Sequence, residues 1–581
     1  MKKTRPLFWA ALFLFLVIGI SACQVREKGR KPGPDWSRSV PLGVFVRGDI
    51  DMVVNPDGRI AHLVWLKEGE EQNQVNYMQI DETATVQLDR DLDLPLIQLR
   101  RPQILPAGSD KLHLFWSSRP DGRREWDLNY VQLDETGQLV GDLKQLAGPD
   151  DDVARFVKAA DGQGGIYLAW EAKVDGAIYG SHIATDGAIL QEAVRLVDQG
   201  TRPSLAVDGD TLYMTWMDES DVMYATWPQG RLSLDDGVSL ISIPIPRGSN
   251  MDGPELGVAG EWTYVIWSIF NSTGLEAGTA ATEYIAFPKE SPQRLNAQKL
   301  RISPDEEPPY LPHESAYQIT QLAPPLGGPA GPTDFVREPG LTDSRGDELA
   351  VALVLNQDLR LDTMAQIGMA IFKDGQFDGY QMAGKTDSFS QEPVLATDDE
   401  GNLHIAWREG GHGSLAYYAV TTAEGRAELD RLQANDVANV ALSGGIEVIA
   451  GMLFFPLACI WLVPGLFLIG LWHLWRGDSD LNNKGTIIVL IISIVVSQVM
   501  KFLFLPTITT YVPFSAWLDV SPSWQQPLLF IVPLLTLLAG LLVAFLMHRR
   551  TPSGLAFFFW FTATDAILTL AIYGVTILGV F

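Results

Sequence analysis

The stretch RPSLAVDGDTLYMTW, residues 202–216, decides the reading of this chain. It holds a short apolar run, an Asp/Gly turn and a second run whose apolar and polar residues alternate up to a tryptophan, the pattern of a tight antiparallel hairpin. Working outward, the same phrase recurs as DMVVNPDGRIAHLVW, RPQILPAGSDKLHLFW, RFVKAADGQGGIYLAW, GPELGVAGEWTYVIW and EPVLATDDEGNLHIAW. The six copies end at Trp65, Trp116, Trp170, Trp216, Trp267 and Trp407. A weaker seventh copy, EPGLTDSRGDELAVALV, puts Val354 at the tryptophan place. Successive spacings are 51, 54, 46, 51, 87 and 53 residues. A further alternating run follows each copy, with Tyr77, Tyr130, Tyr179, Tyr224, Tyr284 and Tyr417 in six and Met369 in the weak one.

A unit of about 50 residues made of short strands and Gly turns is the sequence signature of a propeller blade. Four short strands cannot bury both faces of their own sheet, so blades stack around an axis. A large aromatic at one framework position then fills the wedge between neighbours, and the tryptophans are expected to be buried there. Seven units predict an all-β propeller of seven blades, or six if the weak copy is no blade. Pro41 to Arg47 (PLGVFVR) is the candidate strand that completes the last blade and closes the ring. The long spacing contains a Pro-rich insertion, about residues 288–337 (PPYLP, APPLGGPAGP), read as a loop because proline removes donors and fixes φ.

The pattern P-x-apolar, D-x-x-G and a strand ending in Trp resembles the sialidase-like and BNR-like bacterial propellers over about residues 40–430. The Asp-box S-x-D-x-G-x-x-W is absent. The resemblance implies a propeller fold and an arginine cluster on an anionic sugar, as such enzymes use, without matching any particular arginine here.

The chain has 581 residues and a net charge of −27, too long for one core and too acidic for a general nucleic-acid role. The charge is unevenly spread. Residues 1–22 hold three bases and no acid, residues 441–581 five of each, and residues 23–440 carry 35 bases against 65 acids. The leader, MKKTRP followed by an apolar run to Ile20, ends in Ile20-Ser21-Ala22-Cys23. It reads as an export signal (1–22) whose end resembles the lipobox, so Cys23 is the expected lipidated terminus of the mature, exported protein. A linker (23–40) leads into the extracytoplasmic propeller (41–430), and a second (431–445) into a tail (446–581).

That tail has four apolar stretches, about 446–474, 486–505, 527–547 and 555–580, each long enough to span a bilayer. Arg476 and Lys484, and then His548, Arg549 and Arg550, fall in alternate loops. The bias toward positive residues on the cytoplasmic side therefore places the propeller and the C-terminus outside. Asp565, near mid-bilayer in the fourth stretch, needs a partner, and Gln498 and Lys501 on the second are the candidates. Cys459 reads as a small apolar side chain.

Chemistry-bearing motifs are few. No HExxH, GxSxG, P-loop or CxxC occurs, and the two cysteines form no framework. The turns NPDGR, DDEGN and DGQGG read as hairpin turns rather than Ca²⁺ loops, and His62, His113 and His404 share one framework place in three blades. Neither a metal nor a cofactor is called for. Aligning the repeats on tryptophan, one column 14 to 16 residues upstream holds Asp51, Arg101, Arg155, Arg202, Gly253, Glu338 and Glu392. In a propeller this column lines one mouth of the central channel. Three arginines facing three carboxylates are candidates to bind an anion, or else neutralise one another as inter-blade ion pairs.

The expectation is a membrane-anchored binding module for a glycan, peptide or partner protein, touching membrane lipids and no nucleic acid, its oligomeric state left open. An exo-glycosidase with an arginine-lined pocket is the alternative, with catalytic residues unknown; a ligand-sensing or transport accessory subunit is a third reading.

Overall fold

A computed structural model describes most of residues 33–578, apart from 301–335, 432–454, 506–521 and several shorter stretches. The leader, Cys23 and most of the Pro-rich insertion lie outside the described residues.

The described strands form seven antiparallel four-stranded sheets. After β1 (Val40–Val46), blade 1 is β2–β5 (residues 50–91) and blade 2 is β6–β9 (99–147). Blades 3 to 6 follow as β10–β13 (153–197), β14–β17 (201–242), β18–β21 (249–300) and β22–β25 (336–382). Blade 7 takes β26–β28 (390–420) and borrows β1 as its outermost strand, so the first strand of the chain closes the ring against one of the last. Seven blades are present. The fourth strand of blade 5, Gln298–Leu300, falls inside the stretch read from sequence as Pro-rich loop, which therefore starts later than expected.

All six tryptophans are at most 1% exposed. Each packs onto the blade before its own: Trp116 lies with Val64, Val75 and Tyr77 of blade 1, and Trp216 with Tyr167, Ile178 and Leu196 of blade 3. At ~25 cal/mol per Å² of apolar surface and 150–250 Å² per aromatic, each such wedge contributes roughly 4–6 kcal/mol before entropy. Two turn glycines hold the Trp216 ring from outside. At Gly237, with φ at 66°, a Cβ would come within 2.3 Å of the indole.

The register corrects two framework assignments. In blade 6, Arg337 faces Val354 and Gly340 faces Ala352, which puts Leu353, not Val354, at the tryptophan place; Leu353 is buried against Tyr264 and Ile266 of blade 5. Tyr77, Tyr130, Tyr224 and Tyr284 each pair with the residue before the wedge, but Tyr179 and Tyr417 pair with the tryptophan itself. In blade 7 the equivalent tyrosine is Tyr418, fully buried.

Three blades add a polar core device. The hydroxyls of Tyr77, Tyr130 and Tyr418 meet Nδ1 of His62, His113 and His404 at 2.7, 2.8 and 2.7 Å, and burial pushes the His62 and His113 pKa down to about 4. The turn aspartates are occupied locally: Asp161 Oδ1 accepts from the backbone N–H of Gln163 and Gly165 at 2.8 and 2.7 Å.

Beyond β28 the chain turns into a short helix, α1 (Ala423–Leu429), capped by Thr422. This helix lies beside Glu82, in the turn between the outer strands of blade 1. Four long helices follow: α2 (Phe455–Arg476), α3 (Lys484–Phe504), α4 (Pro522–His548) and α5 (Gly554–Leu578), all candidate membrane spans by length and hydropathy. The α2–α3 and α4–α5 turns meet at one end, where Ser479 and Ser553 hydroxyls lie 2.8 Å apart and Gly554 N–H donates to Ser479 O. Inside the bundle Lys501 Nζ lies 2.8 and 3.0 Å from the two Asp565 oxygens, Gln498 donates to Oδ2 at 3.0 Å, and Lys501 and Asp565 are at most 1% exposed. Cys459 is exposed on α2.

Candidate functional site at the channel mouth

The site is built by a repeated irregularity in the innermost strands. In blade 2, Arg100 faces Ser117 and Gln103 faces Phe115, so Arg101 and Pro102 together oppose Trp116 as a β-bulge. The same bulge recurs at Arg202-Pro203, Gly253-Pro254, Glu338-Pro339 and Glu392-Pro393. The residue before the proline is left-handed every time, with φ of 50° at Arg101, 54° at Arg202, 85° at Gly253, 55° at Glu338 and 51° at Glu392. For a non-glycine residue this conformation costs about 1–2 kcal/mol. Proline cannot donate to the ladder and so fits a bulge. Blade 3 reaches a similar result with its bulge at Ala154, and Arg155 pairs with Glu171 in register. Blade 1 has no bulge: Ile50 pairs directly with Trp65.

Because of that difference, the blade 1 residue at the ring position is Asp49, and Asp51 sits one layer deeper. Asp51 accepts from Ile104 N–H at 2.7 Å and pairs with Lys158 of blade 3, which also donates to Ile104 O. This bridge runs over the inner strand of blade 2 and lines a cavity of about 300 Å³ whose walls also include Met52, Leu105, Leu205, Leu256 and Leu395. The expected Asp51 contribution to the mouth is thus replaced by a tie beneath it.

Arg101, Arg155 and Arg202 come from successive blades, and Arg155 makes its charge felt at the other two. Burial lowers the pKa of both Arg101 and Arg202, and in each the positive charge of Arg155 is the next cause. Arg101 donates to Ala154 O at 2.7 Å and lies 3.8 Å from Asp49; Arg202 donates to Met251 O at 2.5 Å. The half-buried Arg155 side chain makes no hydrogen bond or ion pair among the described residues; its charge acts on Arg101, on Arg202 and on the buried Glu255 carboxylate. Beside this arc, Arg100 stacks on Trp126 with its guanidinium carbon 3.7 Å from a ring centroid, and burial pushes it down to about 10.

The opposite arc is carboxylate. Glu338 pairs with Arg337 at 3.0 Å and accepts Glu392 N–H at 2.7 Å; Glu392 Oε1 accepts from Arg408 at 2.7 Å. Glu392 Oε2 is buried without a hydrogen-bond partner. Burial first, then the negative charges of Asp49 and Glu338, push Glu392 up to about 7 against the pull of Arg408 and Arg337. Burial also raises Glu338, and Asp252 adds to it. In blade 5, where Gly253 offers no side chain, Glu255 stands one layer deeper. It accepts from Ser204 at 3.0 Å, and burial raises its pKa. The mutual influences thus run all the way round, from Asp49 through the three arginines to Asp252, Glu338, Glu392 and back to Asp49.

Sequence alignment on tryptophan found five of the ring's six charged members. It missed Asp49, the Arg337 and Arg408 partners and the Lys158 tie. The x-Pro dipeptide in five inner strands is the signal that marks the bulges and would have set the column.

No family model matches this chain, and no curated protein matches it. Solved structures do. A polysaccharide lyase, Uly1, is 9% identical, covering 65% of this chain and 90% of its own, with a TM-score of 0.43. A mutant of Trypanosoma rangeli sialidase displaying trans-sialidase activity is 10% identical over 68% of this chain and 60% of its own, at a TM-score of 0.35. An endo-arabinase from Bacteroides thetaiotaomicron is 10% identical over 65% of this chain and 95% of its own, at 0.28. The fold defines the class: a seven-bladed β-propeller followed by four long apolar helices.

Proposed function

We propose that this protein is a membrane-anchored binding module, displayed outside the cytoplasm, whose channel mouth receives the anionic group of a ligand, an acidic glycan being the first candidate. The observation that carries this reading is Arg155. Its positive charge acts on the buried Glu255 carboxylate and Glu171 stands across the ladder from it, yet its half-buried guanidinium makes no hydrogen bond or ion pair among the described residues, which leaves its donors for an anionic ligand. Every other arginine at the rim has a carbonyl, a carboxylate or an aromatic face as partner. The facing carboxylates supply acceptors for hydroxyls, which suits a sugar acid better than a bare ion. Strand alternation supports the direction of approach, since β28 runs away from this mouth and ends on the opposite face, where α1 begins. The basic leader ending at Cys23 and the loop charges of the tail support export and anchoring.

The test is an array of neutral and acidic glycans probed with the full-length protein in detergent, beside the Arg155→Met variant. Acidic glycans should bind, and the variant should lose about 10- to 150-fold, the ~1.5–3 kcal/mol of a charge-assisted hydrogen bond. Equal binding by the variant overturns the reading. Fluorogenic glycosides assayed in parallel would replace it with the glycosidase alternative if hydrolysis appears and Glu392→Gln abolishes it.

A further inference from the structure

The lipid-facing side of the helical tail carries a second feature, independent of the propeller. Between α2 and α3 lies a groove of about 420 Å³ lined by Leu468, Leu471, Trp472, Trp475, Val489 and Ile492, with no charged residue in its walls. Trp472 is fixed as its back wall, because its indole N–H donates to Thr486 Oγ1 at 3.1 Å and its ring fills the space left by Gly485. At one end of the groove stands Arg476, exposed, its guanidinium 5.3 Å from the Trp472 ring and 5.7 Å from Trp475. It has no carboxylate partner among the described residues. Lys484, also exposed, opens α3 at the same end, where the helix N-terminus adds positive potential. Of the two acids in that turn, Asp478 lies outside the described residues and Asp480 is engaged by Asn482 through both oxygens.

We propose that this groove is a binding site for one phospholipid with an anionic headgroup, an acyl chain lying against the leucines and tryptophans and the headgroup phosphate held by Arg476 and Lys484. An apolar trough alone accepts any lipid. The two cations at its end, one of them beside two aromatic faces and without a carboxylate partner among the described residues, select for negative charge. An arginine matches the phosphate oxygens with parallel donors, which a zwitterionic headgroup satisfies less well because its own cation competes.

The experiment is native mass spectrometry of the full-length protein in mild detergent, titrated separately with phosphatidylglycerol and phosphatidylcholine. One phosphatidylglycerol should be retained in preference to phosphatidylcholine. Arg476→Gln and Lys484→Gln should each weaken that retention about fivefold, as expected for removal of one basic residue at a lipid surface. Leu471→Trp, which fills the trough and leaves both charges, should lose the tightly held lipid of either kind. These positions are exposed, so the helical circular dichroism should stay at the wild-type value. Equal retention of the two lipids, unchanged retention in Arg476→Gln, or full retention in Leu471→Trp would each overturn the assignment.

Discussion

Replacing Glu392 by Gln should stabilise the protein above pH 7 and leave it unchanged in acid. In the folded chain burial first, then the charges of Asp49 and Glu338, push this carboxyl from an ordinary 4.5 up to about 7. Its folded pKa is raised, so between pH 4.5 and 7 the unfolded chain gives up its proton first, and stability falls as pH rises through that window. A shift of this size would correspond to roughly 3 kcal/mol for a fully desolvated group. The side chain is 35% exposed, which screens the effect to about 1–2 kcal/mol. Glutamine keeps a carbonyl to accept from Arg408 and carries no charge against Asp49 and Glu338. The assay is urea unfolding of wild type and Glu392→Gln followed by tryptophan fluorescence, each at pH 4, 6 and 8. Taking the difference between the two proteins cancels the titration of His62 and His113. The stability difference should grow from near zero to about 1–2 kcal/mol in favour of Gln across that range. A pH-independent difference, or a variant weaker at pH 8, would refute the argument by making the ionised carboxylate with Arg408 a net stabilising pair.

Three further outcomes are expected. Trp116→Phe should cost less than Trp407→Phe by about 1.5–3 kcal/mol in the same unfolding assay, because the Trp116 indole N–H is buried without a partner while that of Trp407 donates to Glu409 at 2.9 Å. Lys501→Met should cost about 3–5 kcal/mol of thermal stability in detergent by stranding Asp565, and the double change with Asp565→Leu should recover most of it. His62 and His113, lowered by burial to about 4, should remain neutral at pH 5 by NMR. Their contribution to stability is complete above about 6.5 and lost as pH falls toward 4.

Blade number and wedge were readable because both rest on local pattern: five tryptophans from Trp65 to Trp267, spaced 46 to 54 residues apart and each in a strand of alternating polarity, have little freedom in where they can pack. The ring was only partly readable, and the reason is the bulge. Counting back a fixed distance from Trp assumes a constant register, but five blades insert an extra residue before proline and blade 1 does not. A fixed count therefore lands on Asp51 in blade 1, where Asp49 holds the rim. Leu353 was missed for a related reason, since an aliphatic run such as AVALV has no feature that singles out the wedge residue. The Lys158–Asp51 tie and the Arg408 clamp join side chains whose only relation is three-dimensional, and no spacing in the chain announces them.

Ring closure by β1 has a mechanical side. The strand pairs antiparallel with β28, Val40 facing Tyr418 and Val46 facing Ser414, so a pull on the segment before Val40 acts at the end of the seam and would peel its hydrogen bonds one after another rather than shear them together. That end is where the fasteners are. Ser37 and Val420 exchange bonds at 2.8 and 3.0 Å, Arg38 N–H donates to Asp430 at 2.8 Å just past α1, and Trp36, 2% exposed, is wedged among side chains of blades 6 and 7. A load arriving from upstream must first extract that indole before the first rung of the closing strand is strained, so the ring resists opening at its one non-covalent join.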